Sequence, residues 1–446
     1  MRVSKLSRAA ALALLAFVVY NANLRSVTSF DTNPTRYLPI SIIKEFDLDL
    51  DEFSFLHKYP EWWRGNKQVS PYYLQYVRGH YMSSYPVMPA ILSVPVYAIP
   101  VLLGLTDGPV SAMGFTRTEV VGTFLSKISA AAAVAFSVGI LYLTLLRLTD
   151  KTAAFSIALL YAFATSSWSV SSQGLWQTSM SQPLLALALY FFVKAVEDAD
   201  NVVYAGIPLA LSVACRPTNI VFGVILLAYT VRRHRAQVRN FLLFPVIVGT
   251  LLLTYNLHYF GSLAGAYSTP TMGSFTYPRV EAFLGLLISP SRGLLVYSPF
   301  LVFALAGMAL TFRRNGDPFY RSLSIASAFL LLLYSAWSQW HASFSYSYRF
   351  LVDLLPGLCL FLPTTWNWIL AHWWRKGLFV TLAIFSVLIQ FIGSFYYPCG
   401  WFETPVGANR HPERYWDWQD PEFLRCLRAG PVDPEGLRFI REMLHR

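Results

Sequence analysis

"MPAILSVPVYAIPVLLGL", residues 88–105, is apolar enough to cross a membrane, and whether it does so sets the sidedness of everything after it. If it spanned, Arg147 and Lys151 would fall on the outer face. Every later basic cluster would be inverted too, against the rule that Lys and Arg stay cytoplasmic. Three prolines, Pro89, Pro95 and Pro100, also interrupt it, and proline removes helical hydrogen bonds that lipid cannot replace. The segment is therefore expected to be a helix or broken helix lying in the outer interface. The first outer loop then runs from about residue 23 to 117.

Composition points the same way. Of 446 residues, 55% are hydrophobic and 13% charged, with a mean hydropathy of +0.44. The apolar residues come in long runs rather than amphipathic stripes, which marks a polytopic helical membrane protein. The net charge of +11 does not indicate nucleic acid. Its Lys and Arg gather between greasy segments, as in "RRHR" (232–235), "RR" (313–314) and "RK" (375–376), the pattern of cytoplasmic loops. Four cysteines are too few for a disulfide scaffold.

The N-terminus, "MRVSKLSRAAALALLAFVVYNA", has the basic start and apolar core of a signal peptide but no convincing small-residue cleavage site. An uncleaved first helix over 1–22, with its N-terminus in the cytoplasm, is the preferred reading. Further spans are expected near 119–146, 152–168, 180–195, 202–215, 218–231, 240–258, 294–312, 321–337, 350–370 and 377–396. That makes about 11 transmembrane helices. At "CRPTN" (215–219) two short helices meeting at Pro217 keep Arg216 facing an outer cavity. The odd count puts residues 397–446 outside as a polar tail. The four parts are thus the first helix (1–22), an outer catalytic loop with juxtamembrane helices (23–117), a bundle with short outer loops (118–396) and the tail (397–446).

Just past the first helix stands "SFDTNPTRYLPIS" (29–41), which sets a lone carboxylate, Asp31, at the outer bilayer surface. One reading makes Asp31 a helix cap, with Pro34 in the first turn. The other makes it a reacting group, and the two are compatible.

A family resemblance favours the second. "FDTNPTRYLPISIIKEFDLDLDEF" (30–53) resembles the acidic-motif region of the first outer loop in GT-C-fold glycosyltransferases, which include the protein O-mannosyltransferases and lipid A aminoarabinose transferases. "GHYMSSYPVMPAILSVPVY" (79–97), "SPSRGLLVYSPF" (289–300) and "WSQWHASFSYSYRFLVDLLP" (337–356) resemble later patches of the same superfamily. The likeness covers most of the chain in topology and only these patches in residues. Where many relatives have Asp-Glu the chain has Asp31-Thr32, and where many have Lys-Pro-Pro it has Tyr85-Pro86-Val87.

The resemblance implies an all-α GT-C-like bundle with a large first outer loop. It also implies transfer of a hexosyl or pentosyl group from a polyprenyl-phosphate sugar to a lipid, glycan or protein acceptor. The expected location is a bacterial cytoplasmic membrane, with the site facing outward. Such chemistry needs a base for the acceptor hydroxyl, cations for the departing phosphate and aromatic faces for the sugar. Asp31 is the expected base. Arg36, His80, Tyr85, Arg216, Arg292, Trp340, His341 and Arg349 are the expected donor and substrate contacts.

Each has a plainer alternative. Arg36 and Arg292 suit interfacial anchors. Arg349 can pair with Asp353 four residues on, as on one helical face. His80 and His341 suit ordinary satisfied polar residues. Most tryptophans, Trp62 and Trp63 among them, suit the aromatic belt. The acidic run "EFDLDLDEF" (45–53) is read as an amphipathic interfacial helix ending in solvated carboxylates, with a divalent-cation site at Asp47, Asp49 and Asp51 as the less favoured reading. No other cofactor is expected. Cys399 and Cys426 can be bridged or free. The rival functions are a transporter or flippase of lipid-linked saccharides, for which no inverted repeat is visible, and a non-catalytic scaffold.

Overall fold

The computed structural model describes residues 4–57, 71–108, 115–268, 274–313 and 317–434. Trp62, Trp63 and the tail beyond residue 434 lie outside the described residues. Among the described residues the chain is mostly helical, with one small hairpin. In order come α1 (Lys5–Asn21), α2 (Asn33–Lys44), the strands β1 (Leu74–Val77) and β2 (His80–Ser83), α3 (Met88–Leu102), α4 (Arg117–Leu145) and α5 (Lys151–Phe163). Then follow α6 (Gln177–Glu197), α7 (Asn201–Cys215), α8 (Ile220–Arg233), α9 (Val238–Tyr255), α10 (Val280–Ile288), α11 (Leu294–Tyr297) and α12 (Val302–Arg313). The last are α13 (Pro318–Ser335), α14 (Leu355–Cys359), α15 (Leu362–Leu370), α16 (Trp373–Phe395) and α17 (Glu422–Ala429).

Local sequence sets several boundaries. "TRTE" at 116–119 forms a capping box: the Glu119 amide donates to Thr116 Oγ1 at 3.1 Å, and the Thr116 amide to Glu119 Oε2 at 2.7 Å. Asp150 caps α5 by accepting from the amides of Thr152 and Ala153. Between α7 and α8 the chain breaks at Arg216, followed by a 3₁₀ turn over Pro217–Asn219, because proline cannot continue the α-helical ladder.

Among the described residues, four stretches are long and apolar enough to cross a membrane: Arg117–Leu145, Gln177–Glu197, Arg235–Phe260 and Trp373–Phe395. The pair Arg349–Cys359 and Leu362–Leu370, bent by 68°, makes a fifth if it is one broken span. The chain is an integral, multi-pass membrane protein. The other expected spans fall on shorter helices, so the count of eleven stays a proposal. α3 is continuous rather than broken, with Pro95 and Pro100 inside it. Its 15 residues reach about 22 Å, short of a hydrocarbon core of about 30 Å.

Two large apolar cores result, with a small third cluster of Leu175, Met180 and Cys215 among the described residues. The larger joins α1, α4–α7 and the C-terminal half through residues such as Ala131, Ile157, Phe192, Phe319 and Leu355. The smaller belongs to the first loop: Tyr37, Leu38 and Ile40 of α2 pack with Leu50, Phe53, Leu74, Ala90 and Tyr97. α2, the hairpin and α3 therefore form one packed unit, anchored to α4 through Leu125.

The acidic run corrects an expectation. Residues 45–53 are turns, not an amphipathic helix. α2 ends at Lys44 and Phe46 takes a left-handed conformation (φ 61°) that stops the helix. Nor are the carboxylates all solvated, since Asp49 is 6% exposed.

Candidate active site

Asp31 lies in a 3₁₀ turn, Phe30–Thr32, immediately before α2. It is not a cap. Thr32 occupies the N-cap position of α2 without a side-chain bond, and Ser29 caps the preceding turn. The Asp31 carboxylate is left to reach across the fold. Its Oδ2 accepts from Arg349 Nη1 at 2.8 Å, and its Oδ1 accepts from the hydroxyls of Tyr72 at 2.9 Å and Tyr85 at 3.1 Å. Burial, and the Asp31 charge after it, hold the Tyr85 hydroxyl well above its usual pKa, so it keeps its proton and donates.

Arg349 is fixed on three sides. Its guanidinium lies 4.5 Å from the Trp176 ring centre and 5.5 Å from that of Phe350, and its Nη2 donates to the Ala342 carbonyl at 3.3 Å. The Asp31 side chain stays 23% exposed and that of Arg349 12%, so the pair is solvent-accessible yet held. Tyr72 and Trp176 were not among the sequence candidates. Tyr72 stands in "PYYLQY" with no motif around it, and Trp176 follows a serine-rich turn.

Arg349 does not pair with Asp353. Residues Arg349–Leu354 form a 3₁₀ helix, whose three residues per turn rotate position i+4 off the face of i. Asp353 instead pairs with Arg216 at 2.7 Å and accepts from Ser181 Oγ at 2.7 Å, both inside the bundle.

The other candidates divide between several places. Arg36 donates to Thr28 Oγ1 at 2.7 Å, and its carbonyl accepts from the Tyr97 hydroxyl; it braces α2 beside Asp31's turn. Arg292 is no interfacial anchor. At 1% exposure it donates to Glu422 Oε2 at 2.5 Å and to the carbonyls of His341, Ser291 and Ser343. His341 is buried and stacks on Tyr415 at 4.2 Å. Burial, with Arg292 and Arg279 adding to it, pushes its imidazole down to about 3. Trp340 packs beside it against Tyr415, Trp416 and the backbone at Gly285.

His80 goes to the acidic run rather than to Asp31. Its Nδ1 lies 2.8 Å from Asp51 Oδ2 and 3.2 Å from Asp49 Oδ2, and the Asp51 contact raises its pKa. Among the described residues, Asp49, Asp51 and His80 are the group whose ligand atoms converge closely enough for a metal ion. This differs from the expected set, because Asp47 turns away to accept from Ser41 Oγ at 2.6 Å.

The tail packs as a cap on this face. Cys399 and Cys426 form a disulfide, which settles the pairing left open by the sequence. Arg414 lies over the Trp401 ring, and Asn409 accepts from Ser343 Oγ at 3.3 Å.

Residues 118–259 match the model of the dolichyl-phosphate-mannose-protein mannosyltransferase family. A search of curated proteins gave no significant match. Among solved structures, the Archaeoglobus fulgidus oligosaccharyltransferase tethered to an acceptor peptide matches with a TM-score of 0.53 at 12% identity, over 92% of this chain and 59% of that one. Its apo form matches with the same TM-score and identity, over 92% and 60%. ArnT from Cupriavidus metallidurans bound to undecaprenyl phosphate gives 0.47 at 10% identity, over 95% and 74%. The chain thus spans about three-fifths of the oligosaccharyltransferase it matches. At these identities what is shared is architecture, and the architecture of this chain is the GT-C fold of membrane glycosyltransferases.

Proposed function

We propose that this protein moves a sugar from a polyprenyl-phosphate-linked donor to a hydroxyl on a lipid, glycan or protein at the outer face of the membrane. The observation that carries the reading is the Asp31–Arg349 pair with its two tyrosine donors, set in a GT-C fold on an accessible face. The acceptor hydroxyl would exchange for one tyrosine bond at Asp31 Oδ1 and give that carboxylate its proton. Its oxygen then bonds to the anomeric carbon while the bond from that carbon to the phosphate oxygen breaks, and the phosphate leaves on the lipid. Arg349, beside Asp31, suits the charge that grows on the departing phosphate.

The division into a first helix, an outer catalytic loop, a bundle and an outer tail belongs to this reading. So does an outward-facing site in a bacterial cytoplasmic membrane, which the Cys399–Cys426 bridge supports because disulfides persist in oxidising compartments. Asp49, Asp51 and His80 are the residues that would hold a divalent cation, and no step of the transfer is assigned to one.

Glycan and lipid profiles of cells lacking the gene, compared with wild type, identify the sugar and acceptor by mass. Transfer is then followed for Asp31→Asn. The variant is expected to fold and bind undecaprenyl phosphate as wild type does, while losing transfer by about two to four orders of magnitude. Transfer at the wild-type rate would remove Asp31 as the base.

A further inference from the structure

We infer that Glu422, in the C-terminal cap, is a positioning residue that aims Arg349 at Asp31. The inference rests on the proposed role of Arg349 only for its activity arm, and its structural arm stands apart. Residues 341–348 run through the site without regular structure until the 3₁₀ helix begins at Arg349. Three of them, Ala342 (φ 59°), Ser343 (φ 45°) and Ser347 (φ 60°), are non-glycine residues in the left-handed region. Such backbone persists only where its surroundings over-determine it.

The surroundings are Arg292 and Glu422. Arg292 Nε donates to the His341 carbonyl at 2.7 Å and Nη2 to the Ser343 carbonyl at 3.1 Å. The carbonyl between them, Ala342, is the one that accepts from Arg349. The loop is therefore gripped by one arginine on either side of the residue that touches the other. Glu422 fixes Arg292 through its Nη1, so the arginine that holds the carbonyls of His341 and Ser343 is itself held from the cap.

Both members of the Arg292–Glu422 pair are 1% exposed, so neither reaches substrate. Removing the carboxylate's charge strands the guanidinium and loosens its hold on the carbonyls flanking Ala342. Glu422 itself is held in place by α17, which the Cys399–Cys426 bridge ties back to the end of α16. The cap thus reaches the reacting pair through a chain of named contacts rather than by covering it.

The test uses the full-length protein in nanodiscs, with the bridge verified by intact mass. Phenylglyoxal modification of Arg349, followed by peptide mass spectrometry, reads how firmly its guanidinium is held, whatever reaction the protein catalyses. In Glu422→Gln, Arg349 is expected to react roughly tenfold faster, the factor for losing one charge-assisted hydrogen bond. Glu413→Gln, an exposed change in the same cap, leaves the rate unchanged. If Glu422→Gln does not fold, Arg292→Lys carries the test, since lysine keeps the charge but lacks the fork that grips two carbonyls. An unchanged Arg349 rate in a folded variant overturns the inference.

The second arm titrates undecaprenyl phosphate. Glu422→Gln combined with Arg349→Ala should bind no more weakly than Arg349→Ala alone. Additive losses would mean that Glu422 acts elsewhere, and would overturn it as well. If Arg349→Ala itself binds like wild type, the donor-phosphate reading falls, and the modification rate alone decides the positioning role.

Discussion

Arg216 and Asp353, 137 residues apart in the chain, meet at 2.7 Å inside the helix bundle with side chains 6% and 0% exposed. Arg216 comes from the break between α7 and α8, and Asp353 from the 3₁₀ turn that leads into α14. The guanidinium also lies 5.0 Å from the Tyr334 ring centre. The pair therefore binds the middle of the bundle to the segment that carries Arg349.

The first prediction follows from that burial. Asp353→Ala leaves a desolvated guanidinium without its counter-charge, which costs about 3–5 kcal/mol. Asp353→Asn keeps an acceptor for Ser181 and should lose less. Arg216→Ala should lower the melting temperature in nanodiscs while leaving undecaprenyl phosphate affinity unchanged. A weakened affinity with unchanged melting would instead make Arg216 a donor contact.

These contacts show what the sequence could and could not disclose. The break at 215–219 was legible because Pro217 forbids a continuous helix. The candidate centre was legible in part: Asp31, Tyr85 and Arg349 do converge. Their arrangement was not. The Asp31–Arg349 contact spans 318 residues, and only packing brings Tyr72 and Trp176 to it. The Arg349–Asp353 expectation failed because it assumed α-helical periodicity over a 3₁₀ segment. The acidic run was misread because Phe46, with no glycine or asparagine to signal it, takes the left-handed turn that ends α2. Lys127 sits inside an apolar run with no sequence signal; buried in α4, it donates to Gln173 Oε1 at 2.6 Å and the Ser172 carbonyl at 3.1 Å.

Arg349 supplies the second prediction. Its fork is shared between Asp31 and the Ala342 carbonyl, and its face rests on Trp176. Arg349→Ala should weaken undecaprenyl phosphate binding by roughly ten- to a hundredfold, the range for a charge-assisted contact. Arg349→Lys should recover only part of it, because an ammonium cannot bond in two directions while stacked on an indole. Equal affinities in all three proteins, measured by titration in nanodiscs, would remove Arg349 from the donor site.

His341 gives a pH dependence with a definite sign. Its folded pKa is pushed down to about 3, below an unfolded value of about 6.5. The unfolded chain therefore binds the proton more readily across that window, so stability is lost as pH falls below about 6.5. Between pH 7 and pH 5 this group alone should cost roughly 2 kcal/mol. His341→Gln should melt with a visibly flatter pH profile over that interval than wild type. Parallel profiles would show that the imidazole is not kept neutral in the folded protein.

The last prediction concerns sidedness, on which the outward-facing reading depends. Cys399 follows α16 directly and Cys426 lies in α17 of the cap, 27 residues on. Closing a loop of that length contributes about 3–4 kcal/mol in the chain-entropy account. The cap contacts the loop that carries Arg349 through Asn409, and through Glu422 by way of Arg292, so it shares a face with Asp31. In intact cells carrying a variant without Cys215 and Cys359, an impermeant maleimide should label nothing before reduction. After gentle reduction with an impermeant phosphine it should label Cys399 and Cys426. Labelling that appears only once the cytoplasmic membrane is broken would place the cap, and Asp31 with it, on the inner face. That outcome would force 88–105 to be reassigned and remove the outward-facing transfer reaction.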